Sequence, residues 1–360
     1  MKKKKTARIV ICVIVVLLAA VLGAAGGMFF NEGVTLLSVK ANDDAGMYEV
    51  NYTADYKLDE LLASGGATTE DELAQYIIKV MLKGLPVNIE YEVPQLACST
   101  FIAAQPDGGY IFGRNLDNQE TDFAVVKTSP KNGYASVSVV NLSFLGYNEE
   151  LKPVKLFDKI NLLALPYFPL DGVNEKGLAI GVLQLQAPPT NQTTDKTDVD
   201  TTLAIRVLLD KCATVSEAVE MLKTFDMHAS ANGCYHLQIA DADGNSVVVS
   251  YVNNEMVVTE KTGDYQCATN FYLHDVPFEY EAQGMDRFEK LTEVLTREKG
   301  VRSVEEGMEL LHYVNIVSTE PDEEGRVYST QWSSIYDLEN KTLTLCSDRN
   351  YDSPYVFSVK

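Results

Sequence analysis

The chain has 360 residues, of which 46% are hydrophobic and 22% charged, the balance of an ordinary globular protein with one or two domains. Such a composition excludes a disordered chain and a collagen-like repeat. The 30 Lys and Arg residues stand against 51 Asp and Glu residues, and the resulting charge of −21 repels nucleic-acid phosphates and anionic membrane faces. We therefore expect no nucleic-acid partner.

The first 30 residues have the features of a membrane-targeting segment. Lysines occupy positions 2 to 5, and residues 9–30 carry no charge. Roughly 20 apolar residues span a bilayer as a helix, whereas the apolar core of a signal peptide has roughly 7–15. Total length favours an uncleaved anchor, and a cleaved signal peptide is the alternative. Both predict that everything after Phe30 is exported, so we expect an extracytoplasmic protein that is membrane-anchored or secreted.

The segment from residue 31 to about residue 93 is acidic and differs in pattern from the residues after it. Apolar residues recur at helical spacing over residues 70–82, with Thr68 and Thr69 as a cap. From Cys98 the pattern changes to strand, and residues 99–104 and 110–113 flank a Pro-Asp-Gly-Gly turn, which predicts a hairpin. Further strands are predicted over residues 123–127 and 135–142, the second with the alternation of a half-buried strand.

The second half combines helices and strands in clusters. Residues 186–200 form a polar loop of a length that usually carries a function, and we expect it to cover a pocket. The patterns predict helices over residues 202–209, 215–225, 285–297 and 304–314, and strands over residues 236–240, 246–252, 328–337 and 342–346. Clusters of strands covered by paired helices predict an α+β fold with antiparallel sheets.

Several kinds of site are absent from the sequence pattern. No glycine-rich loop of the phosphate-binding type occurs, and no Cys-x-x-Cys or His-x-x-x-His spacing predicts a zinc site. The four histidines are scattered, and His236 begins an apolar strand, where a packed core imidazole is the more frequent explanation. A papain-type pairing of Cys with His stays open, although the local signature of its nucleophile is absent.

Cys98 is placed differently from the other thiols, at the change from acidic helix to strand. A hairpin that turns at residues 106–109 brings Arg114 and Asp117 back beside it. The cluster combines a thiol, a cation and a carboxylate. On spacing alone, a structural ion pair near a buried cysteine is the more frequent explanation.

Five segments, in order, carry a resemblance to a known family: Cys98 with residues 113–117, residues 171–178, Thr269 with Asn270, Arg287 with Phe288, and residues 333–337. Together they resemble the choloylglycine hydrolase family, the bile salt hydrolases and penicillin V acylases, from Cys98 to the C-terminus. The resemblance implies a four-layer αββα sandwich, the N-terminal-nucleophile hydrolase fold, over residues 98–360. It also implies a cut between Ala97 and Cys98. Residues 31–97 are then a prosegment behind the anchor or signal peptide of residues 1–30, the alternative being a stalk domain that is never removed.

The resemblance assigns a role to each of six residues: Cys98, Arg114, Asp117, Gln184, Asn270 and Arg287. Cys98 supplies both the thiol nucleophile and, through its freed α-amine, the general base. Arg114 favours the thiolate, Asp117 holds the α-ammonium, and Arg287 stabilises the tetrahedral intermediate. Asn270 donates its side-chain amide to the oxyanion. Gln184 occupies the second oxyanion position, where relatives usually carry Asn, so a main-chain donor tolerates the change and a side-chain donor does not.

The implied function is exported amidohydrolysis of a small-molecule N-acyl amide, such as a conjugated bile acid, penicillin V or an acyl lactone, without metal or cofactor. Three alternatives stay open: an acyltransferase that uses the same thioester, an anchored non-catalytic binding protein in which Cys98 is never freed, and a Cys/His protease. The amidohydrolase mechanism predicts that all four histidines are replaceable.

Further features bear on the pocket and on assembly. We expect an apolar acyl pocket at the loop 186–200 and the apolar segment 144–169, for which core packing is the rival explanation. The thiols at positions 212, 234, 267 and 346 form up to two disulfides or stay buried. Oligomeric state stays open, a homo-oligomer included.

Overall fold

The computed structural model describes residues 27, 29–81, 83–84, 96–317, 321, 325 and 327–360. Within them the strands are β1 (Lys40–Asn42), β2 (Met47–Tyr52), β3 (Ala97–Ala104), β4 (Tyr110–Asn118), β5 (Phe123–Thr128), β6 (Ser136–Asn141), β7 (Asp171–Asn174), β8 (Ala179–Leu185), β9 (Thr197–Asp200), β10 (Phe225–His228), β11 (Cys234–Ala240), β12 (Ser246–Val252), β13 (Glu255–Glu260), β14 (Gln266–Ala268), β15 (Ser329–Asp337), β16 (Thr342–Ser347) and β17 (Tyr355–Ser358). The helices are α1 (Phe30–Leu37), α2 (Leu58–Ala63), α3 (Glu70–Val80), α4 (Thr201–Lys211), α5 (Val215–Leu222), α6 (Met285–Arg297) and α7 (Val304–Tyr313). Short 3₁₀ turns lie at Asp43–Ala45, Leu142–Leu145, Ile160–Tyr167 and Ser230–Asn232.

Two sheets face each other between two layers of helices. A nine-stranded sheet has the order β1-β2-β5-β6-β7-β8-β11-β12-β13, and a six-stranded sheet has the order β14-β3-β4-β15-β16-β17. Helices α4 and α5 pack on the first sheet, α6 and α7 pack on the second, and β3 faces β8 across the interior. This is the predicted αββα order, and the pairing in the two sheets is antiparallel except for β2 with β5. Strands β9 and β10 form a separate two-stranded parallel sheet.

The local predictions are largely confirmed where strong capping or turn signals exist. Helix α3 begins behind Thr69, whose hydroxyl accepts the Glu72 amide at 3.2 Å. Helix α7 begins with a complete capping box between Ser303 and Glu306. The hairpin of β3 and β4 turns where the Pro-Asp-Gly-Gly sequence predicts it, although β4 runs five residues further than predicted, to Asn118.

The prediction of a half-buried strand over residues 135–142 is wrong. All six residues of β6 are buried, the serines at positions 136 and 138 included. Strand β6 lies inside the nine-stranded sheet, between β5 and β7, and has layers above and below it, so neither face meets solvent. Ser136 is hydrogen-bonded instead to Thr128, at 2.9 Å.

The segment before Cys98 is part of the same sheet and core. Strand β2 pairs in parallel with β5, and Val50 is fully buried. The Tyr52 hydroxyl donates to the carbonyl of Leu163 at 2.7 Å, and the Tyr56 hydroxyl donates to Asp210 at 2.6 Å. The prosegment boundary at residue 97 stays a prediction, but the described part of this segment is not a separate module.

Two predictions concern the N-terminus and the thiols. The apolar segment 9–30 lies outside the described residues except for positions 27, 29 and 30, and no helix in the described part of the chain has the length and apolarity to cross a bilayer. The thiols at positions 98, 212, 234, 267 and 346 are all free and buried, so the disulfide alternative is wrong for them.

Candidate active site

The β3–β4 hairpin brings Cys98 and Arg114 together as the spacing predicts. Thr100 pairs with Arg114 in the antiparallel register, which places the arginine one pleat along the sheet from Cys98. Arg114 Nη2 lies 3.6 Å from Cys98 Sγ, and both side chains are fully buried. A permanent cation therefore contacts the sulfur in the interior of the sandwich.

The guanidinium of Arg114 is fixed by three further contacts. Its Nε lies 2.9 Å from Asp171 Oδ2, and its Nη1 donates to the carbonyls of Leu170 at 3.0 Å and Val182 at 2.7 Å. Asp171 also accepts from Trp332 Nε1 at 3.2 Å. Because every contact is buried, the arginine has one orientation, with Nη2 toward the sulfur.

Asp117 and Arg287 form a second buried pair beside the first. Arg287 Nη1 lies 3.2 Å from Asp117 Oδ2, and Thr330 donates to Asp117 Oδ1 at 2.5 Å. The same Nη1 lies 2.5 Å from the Cys98 carbonyl and 2.8 Å from Ser99 Oγ. Burial raises the pKa of Asp117, and the positive charge of Arg287 opposes that rise. Arg287 thus links the carboxylate of Asp117 to the main chain of Cys98, the predicted nucleophile.

Asn270 continues the edge of the sheet where β14 ends. Ala268 pairs with Thr100, so Asn270 stands opposite Cys98 in the same register. Its Oδ1 accepts the Cys98 amide at 2.8 Å and Arg287 Nη2 at 2.9 Å, while its Nδ2 donates to the carbonyl of Gln184 at 2.8 Å. The two donors at Oδ1 fix the orientation of the amide group.

Gln184 completes the cluster from the facing sheet. It lies in β8, and its side-chain Oε1 accepts the amide of Leu96 at 2.5 Å. All six residues that the resemblance indicates are therefore brought together around Cys98. Their roles in catalysis stay predictions.

The environment of Cys98 favours the neutral form of its thiol. Burial raises the pKa of the thiol to about 11, with Arg114 opposing the rise and Asp117 adding to it. The backbone nitrogen of Cys98 is an amide in the intact chain and cannot act as a base. Attack by the Cys98 sulfur therefore requires its thiol proton to move to an acceptor.

Three of the four histidines are engaged in other contacts, and the fourth, His274, lies 3.1 Å through its Nδ1 from the carbonyl of Asp275. His236 is fully buried, and its Nε2 donates to the carbonyl of Thr269 at 2.7 Å, which supports the loop that carries Asn270. Burial lowers the pKa of His236 to about 4. His228 contacts Asp198 at 2.8 Å, and His312 stacks on the ring of Tyr351. The prediction of a packed imidazole at position 236 is confirmed.

Sequence reasoning missed two groups of the site. Asp171 orients Arg114, and Thr330 donates to Asp117, yet neither is singled out by the sequence pattern as a functional residue. Their partners lie 57 and 213 residues away along the chain, so local spacing carries no signal for either contact. The position of Asp171 at the head of the matching segment 171–178 is the one hint that the sequence offers.

An aromatic cleft, also unforeseen, adjoins the cluster. Its cavity of about 770 Å³ is lined mainly by five aromatic side chains: Phe271, Tyr272, Phe278, Tyr280 and Phe288. The rings of Phe271 and Phe288 meet edge to face at 5.0 Å, and those of Tyr272 and Tyr280 at 5.1 Å. Phe271 follows Asn270 in the chain and Phe288 follows Arg287, so two lining residues are direct neighbours of the cluster.

Core packing explains the two ends of the apolar segment 144–169, whereas the apolar side chains at positions 151, 154, 156 and 157 in its middle are exposed. Within residues 162–168 the apolar side chains belong to the main hydrophobic cluster, with Leu162 and Leu165 fully inaccessible. The loop 186–200 is tied to the N-terminal segment, because Gly66 forms a parallel bridge with Asp198. No group of three or more potential metal ligands occurs among the residues that the structure describes.

The four-layer sandwich places Cys98 near the start of an inner strand, with the buried side chains of Arg114 and Arg287 beside it. Two variants of the conjugated bile acid hydrolase from Clostridium perfringens share the fold, with TM-scores of 0.53 and 0.52 at 18% and 19% identity, over 72% of this chain and 92% of theirs. Residues 104–352 match the model of the acyl-coenzyme A:6-aminopenicillanic acid acyl-transferase family, and the chain belongs to that family.

A curated relative is the penicillin V acylase of Pectobacterium atrosepticum, which is 34% identical over 111 residues. The match covers 28% of this chain and spans only 29% of the length of that protein. These relatives confirm the predicted resemblance to the bile salt hydrolases and penicillin V acylases.

Proposed function

We propose that the chain is an amidohydrolase of small N-acyl amides whose nucleophile is Cys98, freed by cleavage after Ala97. The observation that carries the proposal is the enclosure of Cys98. Arg114 contacts its sulfur at 3.6 Å, Asn270 holds its nitrogen at 2.8 Å, and Arg287 holds its carbonyl at 2.5 Å. The relatives named as a penicillin V acylase and as an acyl-transferase of 6-aminopenicillanic acid, an amine, support a reaction that breaks or forms an N-acyl amide bond.

Cleavage is a self-catalysed acyl shift in this proposal. The Cys98 sulfur attacks the carbonyl carbon of Ala97 and a C–S bond forms. The C–N bond to Cys98 breaks as its nitrogen takes the proton that the thiol gives up. Water then hydrolyses the thioester, which leaves a carboxylate on Ala97 and a free thiol on Cys98. The product carries an α-amine with an ordinary pKa of roughly 7.7–8.0, a base suited to neutral pH.

Turnover repeats the same chemistry on an external amide. The α-amine takes the thiol proton, the sulfur attacks the acyl carbon, and negative charge develops on the former carbonyl oxygen. Asn270 Nδ2 and the main-chain N–H of Gln184 are the proposed oxyanion donors. The leaving amine takes the proton, and water resolves the thioester. Asp117 is linked to the Cys98 main chain through Arg287, and its proposed role is to stabilise the charge of the α-ammonium.

The aromatic cleft is the proposed site for the apolar part of the substrate. The acidic side chains of Asp275 and Glu279 line its edge, so an acyl group without negative charge is favoured there. Phe278→Ala is expected to raise KM for aromatic acyl amides with little effect on kcat. Tyr313→Ala, at an exposed aromatic that ends α7, is the matched control.

The experiment for the proposed function is intact mass and N-terminal sequencing of the purified chain. Wild type is expected to yield a fragment that begins at Cys98, and Cys98→Ala is expected to stay intact. Cys346→Ala, at another buried free thiol, controls for the loss of a sulfur. A wild-type chain that is never cut, or a Cys98→Ala chain that is cut as fast, overturns the proposal and favours a non-catalytic binding protein.

A second candidate is acyl transfer, because the family model is named for that reaction. An amine would then resolve the thioester in place of water. Product analysis with and without an added primary amine separates the two: hydrolysis gives the free acid in both cases, and transfer gives a new amide. Export of the chain is part of the proposal, and fractionation of producing cells tests it.

A further inference from the structure

The strand that carries the scissile bond has an unpaired edge at the bond itself. Strand β14 covers β3 only as far as the pair of Ala268 with Thr100. In a strand, the amide groups of alternate residues point to the same edge, so the amides of Leu96 and Cys98 share the edge that β14 leaves uncovered. Two such amides, one on each side of Ala97, therefore need partners other than a strand.

Side chains take the place of the missing strand. Asn270 accepts the amide of Cys98 at 2.8 Å, and Gln184 accepts the amide of Leu96 at 2.5 Å. Asn270 also donates to the carbonyl of Gln184 at 2.8 Å, so the two acceptors are joined. The bond between Ala97 and Cys98 is thus held from both sides by one connected pair of residues.

The side chain and the main-chain N–H of Gln184 point to different neighbours. Its side chain accepts the amide of Leu96. Two residues earlier in the same strand, the amide of Val182 donates to the carbonyl of Leu170, on the β7 side of β8. The main-chain N–H of Gln184 points to that same side, beyond the first residue of β7, because Asp171 pairs with Gly181. Asn at this position would be one methylene shorter, about 1.5 Å, and its oxygen would not reach the amide of Leu96.

We propose that the Gln184 side chain is a positioning residue for maturation: it fixes the chain on the acyl side of the scissile bond for attack by the Cys98 sulfur. This inference rests on the self-cleavage in the proposed function. The extra methylene of Gln184 lets its side chain reach Leu96, which belongs to the predicted prosegment, here called the leader. Hydrolysis of an external amide does not involve Leu96 and does not need this reach. The contact is used once and is lost when the leader moves away.

The test is the rate at which newly synthesised chain is cut, followed by pulse labelling in a cell-free system. Gln184→Met keeps the length and removes the acceptor, and we expect cutting to slow about tenfold, the worth of one buried hydrogen bond. Gln184→Glu keeps an acceptor at the same reach and is expected to stay within about threefold of wild type. Gln184→Asn is expected to be slow like Gln184→Met.

A second pair of variants tests the contact itself. Leu96→Pro removes the amide hydrogen that Gln184 accepts, so adding Gln184→Met to Leu96→Pro is expected to cause no further slowing. Urea midpoints of each variant, measured with Cys98→Ala, show that the fold is kept. Cutting of Gln184→Met at the wild-type rate, or full additivity of the two changes, overturns the inference while self-cleavage stands. Wild-type chain that is not cut overturns both.

Discussion

The buried pair of Arg114 and Asp171 allows a prediction of stability that is separate from activity. Arg114→Met removes the cation and leaves the carboxyl of Asp171 fully buried. Breaking a buried ion pair from one side costs roughly 3–5 kcal/mol, and the carbonyls of Leu170 and Val182 also lose their donor. We expect a loss of about 4 kcal/mol in the free energy of unfolding at pH 8.

The loss should depend on pH in a defined direction. Without the arginine, the buried carboxyl of Asp171 escapes its desolvation cost by binding a proton, so its folded-state pKa rises further above the unfolded value. The folded state then holds a proton that the unfolded state releases, and stability falls as pH rises from 5 to 8. Adding Asp171→Asn should remove that slope and recover part of the stability, without restoring self-cleavage.

The assay is urea unfolding followed by tryptophan fluorescence, with Cys98→Ala present so that every chain is intact. The chain has a single tryptophan, Trp332, and its Nε1 donates to Asp171 at 3.2 Å, so the signal originates at the perturbed pair. Arg297→Met, at a largely exposed ion pair, should change stability by under about 0.5 kcal/mol. A loss below about 1 kcal/mol for Arg114→Met at pH 8, or no slope with pH, refutes the reasoning.

Three further predictions concern the sandwich around the site. Gly113→Ala should cost over about 2 kcal/mol of unfolding free energy, since its Cβ would lie 2.2 Å from the Phe101 ring, whereas Gly33→Ala, with open space around it, should cost nothing by the same urea assay. Burial raises the pKa of Asp200 to about 7, so the free energy of unfolding should fall as pH rises from 4 to 7. The urea assay at pH 4 and pH 8 should find Asp200→Asn more stable than wild type only at pH 8. The difference there should be up to about 4 kcal/mol. Burial lowers the pKa of His236 to about 4, so stability should fall as pH drops from 6.5 to 4; His236→Gln should remove up to about 3 kcal/mol of that fall, and an unchanged acid limb would contradict the assignment.

The parts of the fold that the sequence could predict are those determined by residues close together in the chain. The cap at Thr69, the capping box at Ser303 and the Pro-Asp-Gly-Gly turn act over three or four positions, and each element they bound is present. The placement of Arg114 near Cys98 followed from the same turn, because a hairpin converts a separation of 16 residues into a lateral contact.

The parts that could not be predicted depend on distant partners. Strand β2 pairs with β5 across more than 70 positions, and nothing in residues 47–52 specifies that neighbour. The roles of Asn270 and Arg287 came from family resemblance alone, since each lies more than 170 residues from Cys98 and spacing carries no such information. The prediction that β6 is half-buried was wrong for a related reason. Alternation in a strand does not reveal that both of its faces are covered by layers formed elsewhere in the chain.

The N-terminal segment also shapes the loop that was expected to cover a pocket. The amide of Ala67 donates to the carbonyl of Asp198 at 3.1 Å, and the amide of Asp198 donates to the carbonyl of Gly65 at 2.9 Å. Gly66 has φ of +83°, and a Cβ there would lie 1.8 Å from the Asp198 carbonyl oxygen, so only glycine permits this approach. Loss of residues 31–81 would strip the loop of these contacts and expose the edge of β5 that β2 covers. Cutting the bond between Ala97 and Cys98 requires neither the loss of these loop contacts nor the exposure of β5. We therefore expect activation to free the α-amine of Cys98 and to displace the chain near Leu96, while residues 31–81 stay bound.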